Sequence, residues 1–158
     1  MNRIKLSREG EKKLHEELRL LKEVRRPQVI AAISEARRKG DLSENAEYDA
    51  AKDEQHKVEG RIHQLEMMVR NVDILDDKNI AIDKAYIGAR VELEDLSTGG
   101  LLFYILVNEY EADFVNRKIS TVSPIGKSLL GKEVGDTVEI TVPKGVLKYK
   151  VTDISRQV

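Results

Sequence analysis

The chain has 158 residues, 35% of them charged and 4% aromatic, with 27 Lys+Arg against 28 Asp+Glu and neither Cys nor Trp. A formal net charge of −1 excludes the general basic excess of a protein that coats nucleic acid, so any nucleic-acid role must be local, and the missing cysteines exclude disulfides and thiolate metal sites. Charge above the roughly 25% of ordinary globular chains argues against one compact ball and for a part that exposes most of its surface, such as a long helical hairpin.

The opening MNRIKLSREGEKK lacks the apolar core of a signal peptide. The longest apolar run, Leu101–Val107, is strand-sized and too short to cross a bilayer. The expectation is a soluble, cytoplasmic protein.

Residues 1 to about 75 show no strand-like alternation. Val58, Ile62, Leu65, Val69 and Val72 are spaced 4, 3, 4 and 3, the heptad seam of a helix packed on another helix, and Leu14, Leu18 and Leu21 repeat that spacing upstream. In an antiparallel hairpin, facing residues have a constant sum. The pairs Leu14/Val69, Leu18/Leu65 and Leu21/Ile62 all give 83, which places the fold-back at 41.5.

That point falls in RKGDLSEN, where Gly40 suits the residue after a helix and Asp41 or Ser43 suits the N-cap of the next. From Leu14 to the turn is about 26 residues, so the arm should extend roughly 40 Å. Continuing the seam puts Ala32 opposite Ala51, with Ala31, Ala36, Ala46 and Ala50 nearby, a narrow finger with little core of its own. Pro27 ordinarily costs about 3 kcal/mol inside a helix. Because the pairing continues beyond it, a continuous, kinked helix is preferred to two separate ones.

The text changes within residues 73–84. The expected division is an arm over residues 1–76 and a second domain over 77–158. ARVELEDL, LLFYILVN, DTVEITV and GVLKYKVTDI alternate as strands, with turn signals at STGG and PKG. SPIGKSLLGK reads as a short helix with Pro124 in its first turn and Gly131 beyond its end. Four to six antiparallel strands around a small core are expected, and the overall class is α+β.

The turn and the following helix carry Asp41, Glu44, Glu47, Asp49, Asp53 and Glu54, opposed only by Lys52, directly after Arg37, Arg38 and Lys39. Three readings compete. Asp41 and Glu44 have the spacing of a capping box, and the surrounding charges complement helix dipoles. Alternatively both acids are hard oxygen ligands that complete a Mg²⁺ site whose other ligands belong to a partner. The weakest reading is a self-contained hydrolase, since the tip of a two-helix finger offers no sheltered pocket.

GDLSENAEYDAA (residues 40–51), within VRRPQVIAAISEARRKGDLSENAEY, resembles the tip of the bacterial transcript cleavage factors of the GreA/GreB family. EADF (residues 111–114) and ISTVSPIGKSLLGKEVGD (residues 119–136) resemble that family's C-terminal signature. The pattern is closer to GreA than to GreB. Ser43 departs from relatives with a basic residue there, leaving both acids in place.

The resemblance implies an N-terminal antiparallel coiled coil and a C-terminal FKBP-like domain, the latter carrying no implication of prolyl isomerase activity. It implies a partner, bacterial RNA polymerase, bound at its secondary channel when backtracked. Asp41 and Glu44 would help hold a shared Mg²⁺ at the polymerase active site, which cuts the extruded RNA 3′ end. The chain would stimulate its partner's activity without being an enzyme, would hold no stable cofactor alone, and would be a monomer with no membrane role. Polymerase-inhibiting relatives have more acidic tips, so inhibition ranks second, and a structural adaptor remains the plain alternative.

Other residues have two readings each. Tyr48 either contacts RNA or polymerase or packs beside Leu42. Arg37, Arg38 and Lys52 either attract RNA phosphates or line a solvated face. Ser123, Pro124 and Ile125 are candidates for docking on the channel rim, and Phe114 for that surface or, by preference, the core. Glu59 and His63, with His56 one heptad before, have a spacing that occasionally binds metal but is common on solvated helices.

Overall fold

A computed structural model describes residues 3–40, 45–76, 78 and 80–156. The chain divides into two compact units, one comprising Met1–Asn2 and Glu11–Val72, the other Arg3–Gly10 and Asp73–Val158. The second unit thus takes in Arg3–Gly10 from before the arm.

Strand β1 (Ile4–Leu6) pairs with β2 (Val72–Ile74), and the Leu75 N–H donates to the Leu6 carbonyl at 2.8 Å. Helix α1 (Arg8–Leu20) follows. Ser7 starts it by accepting from the Gly10 N–H at 3.0 Å, while the Ser7 N–H and hydroxyl both donate to the Glu111 carboxylate. Glu111 is 8% exposed, and these bonds satisfy a carboxylate whose burial would otherwise be costly.

The arm is built from α1, a π-helical turn at Leu21–Arg25, α2 (Arg26–Arg38) and the 25-residue α3 (Ala46–Arg70). The backbone stays in the right-handed helical region through the junctions at Leu20, Arg25 and Arg26, so the helix is continuous past Pro27, as preferred from sequence. Its accommodation is specific. The Arg26 N–H donates to the Leu21 carbonyl, five residues back, and this wider turn eases the clash of a proline ring with the preceding turn's carbonyl.

The extra residue in that turn corrects the expected seam. Heptad extension from Leu21 points inward at positions 25, 28 and 32, yet Arg25, Gln28 and Ala32 are exposed, and Val29, Ile33 and Ala36 are buried instead. The seam has advanced by one residue because a π turn holds one residue more than an α turn. The opposite strand needs no correction, since Ala51, Val58, Ile62 and Leu65 stay in phase and are buried. Val29, Ile33, Ala51, Val58 and Ile62 form one core, with Leu18, Leu21 and Tyr48 packed on it. The finger therefore has an apolar core of its own near the tip, contrary to the alanine seam expected.

The second unit contains a five-stranded sheet, β3 (Ala89–Asp95), β4 (Leu101–Val107), β5 (Lys118–Ser120), β6 (Thr137–Val142) and β7 (Gly145–Arg156), in the order β5-β4-β3-β7-β6. The four strands read from sequence are antiparallel neighbours, and the unanticipated β5 runs parallel to β4. Val91, Leu93, Tyr104, Leu106, Val138, Ile140, Tyr149 and Val151 alternate inward as the core. The register shifts between Glu92, opposite Asp153, and Leu93, opposite Val151. Thr152 is the extra residue, and this bulge lets Val151 and Ile154, three apart, both face the core. Short helix α4 (Pro124–Leu129) has Pro124 in its first turn, as expected.

Candidate functional site at the hairpin tip

Asp41 and Glu44, the acids singled out from sequence, lie outside the described residues, as do Leu42 and Ser43. Helix α2 ends at Arg38, Lys39 closes it with its N–H on the Ala36 carbonyl at 3.2 Å, and Gly40 adopts φ of 108°, a conformation that favours glycine. The hairpin therefore turns back between Arg38 and Ala46, in the interval predicted.

The N-cap of α3 is Asn45, correcting the expectation of Asp41 or Ser43. Asn45 is extended (φ −91°, ψ 97°), and its side-chain oxygen accepts from the Tyr48 N–H at 3.0 Å. Its side-chain nitrogen donates to the Ala36 carbonyl at 2.8 Å. Asp41 stands four places before the cap, so the capping-box alignment of Asp41 with Glu44 does not match where α3 begins. Sequence reasoning missed Asn45 because two earlier residues, Asp41 and Ser43, are equally good caps by type.

The acidic run after the cap is less uniform than its sequence suggests. Lys39 Nζ lies 2.8 Å from Glu47 Oε2 and Arg25 lies 2.7 Å from Glu54 Oε1. Hydrogen bonding to Glu47 raises the Lys39 pKa, and hydrogen bonding from Arg25 lowers that of Glu54. Basic residues of the preceding helical strand thus neutralise part of the run, leaving Asp49 and Asp53 exposed.

Arg37 and Lys52, from opposite helices, line one cleft with Ile30, Ile33, Ser34 and Gln55, and Lys52 donates to Gln55 at 3.0 Å. Arg38 lies apart, 3.6 Å from Glu35. Tyr48 packs on the arm's core. Glu59 is engaged by Arg26 through two bonds, at 2.7 and 2.9 Å, which competes with any use of Glu59 and His63 as a metal pair. Among the described residues no three His, Asp or Glu side chains cluster as a metal site.

In the second unit, Ser123 is the N-cap of α4. Its hydroxyl donates to the Ser120 carbonyl at 2.7 Å and accepts from the Gly126 N–H at 3.1 Å. A Cβ at Gly126 would collide with the Ser120 carbonyl, so glycine lets α4 sit directly on the end of β5. Ile125 packs against the core, while Pro124 and Val122 are exposed. Of the three docking candidates, Ser123 and Ile125 hold the segment and Pro124 shows its surface. Phe114 is 66% exposed, its ring centroid 6.3 Å from that of Tyr104, which corrects the preference for a core role. It lies in a one-turn helix that leaves its side chain outside the alternation of the sheet.

Residues 4–74 match the family described as "Transcription elongation factor, N-terminal" and residues 79–156 the one described as "Transcription elongation factor, GreA/GreB, C-term". The chain is 49% identical over 151 residues to transcription elongation factor GreA of Thermoanaerobacter pseudethanolicus, covering 96% of each. It is 52% identical over 149 residues to that of Chloroherpeton thalassium, covering 94% of each. A crystal structure of GreA factor homolog 1 of Thermus thermophilus is 31% identical, with 98% of this chain and 99% of that one covered and a TM-score of 0.46. No helix among the described residues is long and apolar enough to cross a membrane.

Proposed function

Because the chain belongs to the GreA/GreB family of transcription elongation factors, we propose that it binds bacterial RNA polymerase through the secondary channel and stimulates that enzyme's own cleavage of backtracked RNA, releasing arrested complexes. The observation that carries this reading is the cap. The N-cap of α3 is Asn45, whose side chain accepts from the Tyr48 N–H, so the cap position is not held by Asp41, as the competing explanation required.

The donor chemistry fits a shared ion. Two carboxylates are hard oxygen ligands, too few for the octahedral shell of Mg²⁺, which commonly takes one or two protein carboxylates and fills the rest with water and phosphate oxygens. When bound, the ion supplies a water activated for attack on a phosphodiester. The part of this chain is to carry Asp41 and Glu44 at the end of an arm whose 25-residue α3 spans about 37 Å at helical rise. Arg37 and Lys52 present two cations in one cleft near that end, suited to the phosphates of the extruded RNA 3′ segment. Pro124 and the neighbouring Val122 offer an exposed surface for the rim of the channel.

The test is Asp41→Asn combined with Glu44→Gln. Both replacements weaken ion binding, and neither changes the N-cap residue, Asn45. The double variant should fold and bind polymerase as the parent does, while losing stimulated cleavage in stalled complexes. Retained cleavage would refute the reading.

A further inference from the structure

We propose that Glu111 completes the N-terminal capping box of helix α1 from a distant part of the chain, and is thereby a positioning residue for the arm. In an ordinary capping box the N-cap Ser or Thr accepts from the N3 backbone N–H, and a Glu at N3 reaches back to the N-cap N–H. Ser7 stands directly before α1 and accepts from the Gly10 N–H at 3.0 Å, so Ser7 is the N-cap and Gly10 is N3. Glycine cannot supply the returning carboxylate. Glu111, 104 residues along the chain, supplies it by accepting from the Ser7 N–H at 2.9 Å and from the Ser7 hydroxyl.

The fit is mutual. Gly10 is buried, and a Cβ there would collide with the Glu111 carboxylate, so the side chain missing at N3 leaves the space that the distant one fills. Glu9, the nearest local acid, is at N2 and exposed. Among the described residues Glu111 is the only buried charged side chain. Its backbone is set by a one-turn helix, Glu109–Glu111, capped by Asn108, whose side-chain oxygen accepts from the Tyr110 N–H at 2.9 Å.

A box closed by its own segment serves only the helix, whereas one closed from elsewhere also joins that helix to the element carrying the acid. Arg8–Gly10 belong with Glu111 to the second unit, and α1 runs on from them to Leu20, within the arm. The bonds to Ser7 therefore fix the residues on which the arm's first helix is founded. Displacement of a reacting group by about 1 Å can cost as much as a hundredfold in rate. On the cleavage-factor reading, on which this inference rests, a loosened root therefore slows cleavage even when the factor is saturating.

The experiment separates capping from tying. Glu111→Ala removes both, while Glu111→Ala combined with Gly10→Glu returns an acid to N3 and closes the box locally without the tie. Both are compared with the parent and with the Asp41→Asn/Glu44→Gln variant, in thermal melts and in stalled polymerase complexes over a range of factor concentrations. Glu111→Ala should melt about 2–4 °C below the parent and lose about tenfold or more in cleavage rate at saturation. The local box should recover the melting temperature but not the rate. A parental saturating rate in either variant would overturn the positioning role and leave Glu111 as a cap alone. A melting temperature unchanged in the first variant, or unrecovered in the second, would overturn the box. Cleavage retained by the acid double variant would instead overturn the cleavage-factor reading and, with it, this role.

Discussion

Ile33 and Ile30 lie three residues apart on one helix with opposite fates, 7% and 53% exposed. Removing a buried isoleucine side chain costs about 2–5 kcal/mol, through lost apolar burial and the cavity left behind. An exposed one costs about 0.5 kcal/mol or less. Ile33→Ala should therefore lower the denaturation midpoint of the arm sharply and Ile30→Ala barely, in a urea titration followed by helical circular dichroism. Equal effects would contradict the seam described. The comparison matters because heptad extension from Leu21 points at Ala32, and only the π turn brings Ile33 inward. In hindsight the signal was present: from Leu21 to Val29 is eight residues where a heptad allows seven, with Pro27 in the interval.

A helix with one surplus residue should tolerate losing it. Deleting Val24, which is 45% exposed within the π turn, together with Pro27→Ala, returns Val29, Ile33 and Ala36 to heptad spacing from Leu21. The product should retain the parent's helicity and melt no lower. Deleting the exposed Glu35 instead should unfold the tip, since nothing there absorbs a change of phase. Thermal melts of the two deletions decide the matter, and equal damage would refute the insert.

The charges on the arm make a separate forecast. Glu16, Glu54 and Glu59 each accept from an arginine, and this holds their carboxyls below the usual range. A depressed folded pKa contributes stability that is complete above the unfolded value of about 4.3 and disappears as pH falls through the folded one. The melting temperature should be level from about pH 9 to about pH 5 and fall below about pH 4, with salt reducing the effect because these pairs are exposed. Melting that stays level to about pH 3 would show that the pairs contribute nothing.

Strand boundaries in the second unit were legible where a run was seven residues long, as in the alternating β3 and the unbroken apolar β4. They were not where three residues suffice, as in β5, or where Thr152 inserts a bulge and breaks the period of two.

At the scale of the whole molecule, the chain carries two family matches, over residues 4–74 and 79–156, and the first includes residues 4–10, 73 and 74 of the second compact unit. The fold-back point was readable because three leucines and their partners share one sum. The motif GDLSENAEYDAA identified the family, but its cap was not readable, because hydrogen bonding across the turn depends on which residue the two helix ends bring together. The central claim is that this chain lends acids to another enzyme's active centre. It is tested most directly by adding the purified protein and Mg²⁺ to stalled, backtracked RNA polymerase complexes and to the same RNA without polymerase. The account predicts release of a short RNA 3′ segment in the first mixture and intact RNA in the second. Slowed elongation without cleavage, or RNA cut in the absence of polymerase, would contradict it.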